Sequence, residues 1–299
     1  MHSDQIGIKA AHVSELIADQ FPQFQGEEII ELDTAGTVNA VFRIGTKHAA
    51  RFPLRMMDPA ECTRMLDEQA KASAEFNELC PFPSPKPVGI GRQSGVFPLP
   101  WLVQTWIEGK VATPMGLCNS SVFALDLVRL ITTLRAADLE GRTFDGRGRG
   151  GNLTDHDGWM EVCFSKSEHL LDVEHLRRMW GSFRELPSPT REAMSHKDLI
   201  PGNLLVHGEH LVGVLDTGDF APADPSLDLV AGWHLLDRDT RTILREALQI
   251  DDLEWRRGAA WAFQQAMGLA WYYESTNPVM AELGRSTISR LIEDCPAQV

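Results

Sequence analysis

Along the chain the spacing of apolar positions changes twice, and each change marks a different kind of element. Val13, Leu16, Ile17 and Phe21 recur at helical spacing before Pro22, which predicts a short opening helix. Between residues 29 and 53 the pattern becomes a series of short β-rich runs, IIELDT, TVNAVFRI and KHAARF, separated by Gly36 and Gly45. Such runs predict a three-stranded antiparallel meander. Cys62, Met65, Leu66, Gln69, Phe76 and Leu79 then trace one stripe of a helix over residues 59 to 79, closed by the proline cluster PFPSPKP. Two further apolar runs, PVGIG and WLVQTWI, complete a sheet of about five strands with the helix packed on it, an α+β arrangement.

After Gly109 the period is helical, with predicted helices near residues 121–137, 165–180, 226–236, 251–273 and 278–292. NLLVHGEHLVGVLD interrupts them and reads as two strands around a His-Gly-Glu turn. The glycine-rich GRTFDGRGRGGN, residues 141 to 152, reads as a surface loop between helices. Trp255, Trp261, Phe263, Met267 and Trp271 have the spacing of core positions.

Composition bounds the classes of function. A chain of 299 residues, 43% hydrophobic and 23% charged, suffices for two modest domains or one bilobal one, and no run approaches the roughly 18 apolar residues that span a bilayer. The N-terminus reads as an amphipathic helix rather than an export signal, and the five cysteines form no CxxC pair. A cytoplasmic protein is expected. The 28 basic and 42 acidic side chains give 28 − 42 = −14, which disfavours a nucleic-acid partner and suits a cationic small molecule, while the lack of a spanning run disfavours the membrane.

Candidate chemistry is concentrated in SHKDLIPGNLLV. His196, Asp198 and Asn203 have the spacing H-x-D-L-x-x-x-N of a protein-kinase catalytic loop, where the aspartate accepts a hydroxyl proton, the asparagine offers oxygen to magnesium and the histidine braces the loop. Thirteen residues beyond Asn203, across the predicted hairpin, Asp216-Thr-Gly218 stands where a second metal-binding carboxylate belongs. A cation for the nucleotide phosphates is expected on the third strand, Arg51 first and Lys47 in reserve, paired with a helical glutamate; among Glu61, Glu68 and Glu75 the mid-helix Glu68 is best placed. The turn from Thr34 to Asn39 is the candidate phosphate cover.

Taken together these segments resemble the aminoglycoside phosphotransferase family of small-molecule kinases, related to choline kinases and protein kinases. The similarity runs through TVNAVFRIGTKHAARFP, the hinge-like PWLVQTWIEGK, the loop SHKDLIPGNLLV and GVLDTGDFAPADPSLDLV. It implies a bilobal protein-kinase-like fold, with a small antiparallel-sheet nucleotide-binding lobe over residues 1–106 and a larger, mainly helical catalytic lobe over 107–299. It implies Asp198 as base, Asn203 and Asp216 as magnesium ligands, ATP or GTP as donor, and a hinge near Gln104, Trp106 and Ile107 that binds the base. The sequence departs from the family's habits at Lys197, where glycine is common, at Ile200, where histidine is, at Thr217, where a bulky aromatic is, and at Arg51, where lysine is usual.

The expected activity is transfer of a γ-phosphate to a hydroxyl of a small polar molecule, an aminoglycoside or related antibiotic being one acceptor and a macrolide or metabolic amino alcohol others. A kinase-like module that binds without turnover is the alternative. Asp155, Asp157, Glu161, Asp219 and Glu274 are the candidate carboxylates of a substrate wall. Asp224 and Asp228 are read as helix capping or as supports for the metal loop, capping being preferred.

Overall fold

The computed structural model of the chain describes residues 6–32 and 39–294. The chain divides into two compact units. The first comprises the described residues of Met1–Glu78 with Pro83–Glu108 and Gly213–Asp219, and the second comprises Leu79–Phe82, Gly109–Val212 and the described residues of Phe220–Val299. This division differs from a single cut after residue 106 at two segments, Leu79–Phe82 and Gly213–Asp219. Gly213–Asp219 belongs with the sheet unit, where the Val214 N–H donates to the Pro83 carbonyl at 2.9 Å.

In the first unit α1 (Ala10–Gln20) buries Val13, Leu16 and Ile17, as its spacing requires, and Phe21 meets Trp101 edge-on at 5.2 Å. The strands β1 (Ile29–Leu32), β2 (Asn39–Ile44) and β3 (His48–Pro53) form the meander, and α2 (Pro59–Leu79) follows it. Asp58 caps α2 by accepting the N–H groups of Ala60 and Glu61 at 3.0 Å, with Pro59 in the first turn where no donor is needed. With β4 (Pro87–Gly91) and β5 (Trp101–Thr105) the sheet has the order β1-β2-β3-β5-β4, antiparallel throughout. Phe42 and Phe52 meet in its core at 5.8 Å, while Arg51, one residue from Phe52, faces the other side by the period of two.

The second unit begins with β6 (Lys110–Val111) and α3 (Ser121–Arg135), then α4 (Asp157–Ser167) and α5 (Val173–Arg184). One helix was expected over 165–180; two form instead, because Asp172 caps a new start by accepting the His175 N–H at 3.1 Å. The strands β7 (Ala193–Ser195), β8 (Leu204–His207), β9 (His210–Val214) and β10 (Ala221–Ala223) are followed by α6 (Val230–Leu235), α7 (Arg238–Ala247), α8 (Asp252–Tyr272) and α9 (Pro278–Asp294). The predicted hairpin is β8–β9, extended by β6 to the order β6-β8-β9. Pairing of β7 with β10, Ser195 opposite Ala221, involves strands too short to show an alternation in the sequence. The helix α8 is buried on almost every side, Trp261, Phe263 and Met267 among its inaccessible residues, and so serves as the unit's central post.

Candidate active site

Between β7 and β8 the chain makes a loop whose main chain is held by Asp228, a carboxylate only 2% exposed. Its Oδ1 accepts the Ser195 hydroxyl at 2.8 Å and the Lys197 N–H at 3.2 Å, and its Oδ2 accepts the His196 N–H at 3.1 Å. Burial pushes the Asp228 carboxyl above the usual range against the pull of nearby His196 and of these donors. Asp228 is thus a support of the loop that carries Asp198, rather than a helix cap or a support of the Asp216 loop. Asp224 is tied separately, accepting from Ser226, from Arg257 and from the Trp261 indole.

Lys197 takes a left-handed conformation, φ +69°, which explains why glycine suits this position. The turn lets the Asp198 N–H donate to His196 Nδ1 at 3.3 Å. His196 is inaccessible to solvent, and its ring lies under the turn, where it accepts that N–H. Leu199 is buried beside it, and the Pro201–Asn203 turn returns the chain to β8.

The carboxylate of Asp198 is about one-third exposed and held from three directions. Its Oδ1 accepts Arg149 Nη2 at 2.7 Å and Gln265 Nε2 at 3.0 Å; its Oδ2 accepts Asn203 Nδ2 at 3.0 Å. The same Asn203 Nδ2 donates to the Asp198 carbonyl at 2.9 Å, so the amide is oriented with its oxygen turned away from the aspartate. Gln265 is itself oriented. With its Nε2 committed to Asp198, its Oε1 accepts from His234 Nε2 at 2.7 Å, and His234 Nδ1 accepts from the Thr287 hydroxyl at 2.8 Å. Complete burial pushes the His234 imidazole down to about 4, so the ring in this chain is neutral at ordinary pH. Neither Arg149 nor the Gln265–His234 pair is suggested by local spacing, because their partners lie far along the chain.

In the first unit Arg51 Nη2 pairs with Asp216 Oδ1 at 2.7 Å. This corrects the expected partner. Glu68 is exposed and forms no ion pair among the described residues, because it lies one step off the face of α2 that turns inward. The next residue, Gln69, lies against Gly218, where an added Cβ would sit 3.0 Å from the Gln69 side chain, a tight approach that suits a glycine. Asp216 is half-exposed and left-handed, φ +56°, a conformation aspartate tolerates better than most residues. Lys47 is exposed in the β2–β3 turn, Asn39 opens β2, and Thr34 lies outside the described residues.

The hinge is narrower than expected. Gln104 lies in the β5 ladder, opposite Ala49 and Pro87, and the Trp106 N–H already donates to the Lys47 carbonyl at 2.7 Å. The Trp106 indole is bonded to Glu108 at 2.9 Å. Ile107 is the expected hinge residue whose N–H meets no acceptor among the described residues.

The expected acidic wall is largely neutralised within the second unit. Asp157 accepts a fork from Arg184 and a bond from the Trp180 indole, and Arg184 holds its carboxyl below the usual range. Glu161 accepts from Arg177 at 2.6 Å, and Glu274 lies 3.1 Å from His169. Asp155 is exposed and without an ion pair among the described residues, while Asp219 belongs to the first unit.

Comparison with known proteins agrees with this architecture. The profile of the phosphotransferase enzyme family, APH, matches residues 29–261, and the chain belongs to that family. No curated protein gives a significant match by sequence. Among solved structures, the chain is similar to the GDP and kanamycin complex of APH(2")-IIia, with a TM-score of 0.72 and 18% identity over 95% of this chain and 98% of that one. It is similar to the GDP complex of wild-type aminoglycoside 2'-phosphotransferase-IIIa, with a TM-score of 0.70 and 18% identity over 96% of this chain and 100% of that one. It is also similar to the macrolide 2'-phosphotransferase MphH from Brachybacterium faecium, with a TM-score of 0.61 and 16% identity over 93% and 97%. Both units therefore carry the fold of small-molecule phosphotransferases, an antiparallel sheet followed by a helical region. No helix among the described residues is long and apolar enough to cross a membrane.

Proposed function

We propose that this phosphotransferase moves the γ-phosphate of ATP or GTP, with magnesium, to a hydroxyl of a small polar molecule, with Asp198 as the base. The observation that carries the reading is how the Asp198 carboxylate is occupied. Of about four lone-pair positions on a carboxylate, Arg149 and Gln265 fill two on Oδ1 and Asn203 fills one on Oδ2. The position left on Oδ2 is where an acceptor hydroxyl donates, and Oδ2 takes its proton as the oxygen attacks phosphorus.

The donor set suits magnesium. Asn203 Oδ1 and the Asp216 carboxylate are hard oxygen ligands, and among the described residues no three His, Cys, Asp or Glu side chains cluster to make an all-protein site. Two protein oxygens with nucleotide phosphates and water completing the shell is the ordinary way this ion is held. When bound, magnesium supplies charge neutralisation across the phosphates. On this reading Arg51 exchanges between Asp216 and a phosphate, and the Ile107 N–H receives the nucleotide base. Both aminoglycoside and macrolide phosphotransferases share the fold, so acceptor choice rests on local chemistry. The net charge of −14 favours a cation through long-range attraction, and a cation bound at Asp157 or Glu161 would exchange with Arg184 or Arg177.

Nucleotide consumption with magnesium, ATP or GTP, and a panel comprising kanamycin, gentamicin, erythromycin and small amino alcohols tests the proposal. Turnover with one class, abolished in Asp198→Asn, supports it. Nucleotide binding with no transfer to any acceptor sinks it in favour of a module that binds without turnover.

A further inference from the structure

We propose that Arg149, delivered by the glycine-rich loop, is a catalytic cation that binds the phosphoryl group in transit as well as the base. The proposal rests on the transfer reading above. Its first support is the guanidinium's unspent capacity. An arginine has five N–H donors in a rigid fork, yet Arg149 uses only Nη2, shared between Asp198 Oδ1 at 2.7 Å and the Lys197 carbonyl at 3.4 Å. Its Nε is buried with no acceptor among the described residues, a costly state for a polar atom unless an anion arrives to fill it.

The second support is elimination among the positions of the second unit next to Asp198. Ile200 carries no charge, and Lys197 turns its ammonium over the Phe144 ring, 5.4 Å from the centroid. Arg147, two residues away on the same loop, is exposed. Orientation of the base does not need Arg149 either, since Gln265 and Asn203 grip one oxygen each. A charged third donor serving only as a clamp would weaken the base and contribute nothing to the step.

The third support is the loop's construction. Gly146, Gly148 and Gly150 have φ of +79°, +67° and +115°, conformations closed to most residues, and a Cβ on Gly150 would sit 2.6 Å from that of Ala223. Just beyond Arg149, the Gly150 carbonyl accepts the Asp224 N–H at 2.8 Å, and Arg257 reaches the Gly151 carbonyl at 3.3 Å. The backbone that carries Arg149 is therefore pinned to Asp224 and Arg257, which are joined in a buried pair.

In the step proposed, the acceptor hydroxyl oxygen forms a bond to Pγ while the bond from Pγ to the β–γ bridging oxygen breaks. That electron pair leaves with the nucleoside diphosphate, and the hydroxyl proton passes to Asp198 Oδ2. Reacting atoms approach to roughly 3–3.5 Å, and the charge spreads over the three equatorial oxygens. An equatorial oxygen beside Asp198 comes within reach of the Arg149 fork, whose donors strengthen as the charge develops.

The test is steady-state transfer from whichever of ATP and GTP gives the higher turnover in the screen, and from its γ-thio analogue, with magnesium, to the acceptor giving the highest turnover. Wild type is compared with Arg149→Gln, Arg149→Lys and the control Arg147→Gln. Arg149→Gln is expected to lower kcat about 100- to 1,000-fold with KM for both substrates within about threefold, and Arg149→Lys to recover part of the loss. Contact with an equatorial oxygen also predicts that the slowing caused by sulfur in wild type shrinks in Arg149→Gln, a change that a mere clamp would not produce. A kcat within about threefold of wild type, or an unchanged sulfur effect in both Arg149 variants, overturns the proposal and leaves the transfer reading standing. Absence of turnover in wild type overturns both.

Discussion

Two acidic residues carry the proposed chemistry, and the chain treats them in opposite ways. Asp198 is held by three side-chain donors, and the loop beneath it is bonded to a buried carboxylate at Ser195, His196 and Lys197. Asp216 is half-exposed in a left-handed turn, with Arg51 across its Oδ1. A base must present one lone pair in one direction, so its surroundings are preorganised. A carboxylate that meets a metal arriving with its nucleotide must exchange partners, and a partly exposed ion pair worth under about 1 kcal/mol is easily exchanged. Rigidity belongs to the proposed base and exchangeability to the proposed metal ligand.

The largest break in this comparison is Asp198→Asn. The amide keeps the shape and loses the proton acceptor, and it turns an N–H toward one of the present donors. Turnover should fall by more than about 1,000-fold, while nucleotide affinity, measured by titration, stays within a few-fold of wild type. Retained turnover would remove Asp198 as the base.

The support behind Asp198 gives the next effect, one of pH. His234 is neutral and buried, its pKa down at about 4 from an ordinary 6.5. Between those values the unfolded chain binds the proton that the folded chain refuses, so stability rises with pH across the window and is complete above about 6.5. It is lost as pH falls from about 6.5 toward 4, by on the order of 3 kcal/mol. His234→Gln should flatten that part of the denaturation profile. If the variant keeps the wild-type slope between those pH values, the ring is not the group responsible.

These residues also show what a sequence can and cannot tell. The contact of Asp198 with Asn203 and the hairpin leading to Asp216 were legible because local spacing fixes them, and β1 to β5 because period-two runs separated by glycine have few other readings. Arg149 and Gln265 were not, since they reach Asp198 from 49 and 67 residues away and no local pattern records that. Glu68 was preferred for standing mid-helix, yet a one-residue change of phase, about 100°, separates it from Gln69 on the inward face. α7 escaped because RDTRTILREA is polar and buries only Thr240, Arg241 and Leu244, its start being set by the Asp237 cap. The acidic wall is only half legible for a related reason. Carboxylates show in a sequence, but the arginines that neutralise them, Arg184 for Asp157 and Arg177 for Glu161, declare themselves only in the fold.

Asp216→Ala sharpens the other half of the comparison. Removing an exchangeable ligand should weaken magnesium-dependent nucleotide binding about 10- to 100-fold, with stability changed by less than about 1 kcal/mol because the pair with Arg51 is partly exposed. Calorimetric titration with and without magnesium reads the first quantity and urea unfolding the second. An unchanged magnesium requirement would exclude Asp216 as a ligand; a large loss of stability would show that the turn is as rigid as the Asp198 loop.

The smallest effect lies in the one conformational feature the two regions share. Lys197 and Asp216 both occupy the left-handed region, with φ of +69° and +56°. Aspartate visits that region with local support from its short polar side chain, whereas lysine carries the full steric cost of about 1–2 kcal/mol. Lys197→Gly removes that cost and gives up the contact with Phe144, and it raises the entropy of the unfolded chain by about 0.4–1 kcal/mol. The balance is a stabilisation of up to about 1 kcal/mol, a shift of a few degrees in Tm, with the N–H bonds to Asp228 and Ser195 retained. Lys197→Ala keeps the strain and loses the Phe144 contact, so it should be less stable than wild type. Thermal unfolding of the two variants side by side decides the matter: if alanine and glycine shift Tm alike, the backbone at 197 is not strained, and the loop beneath the base is as relaxed as the rest of its unit.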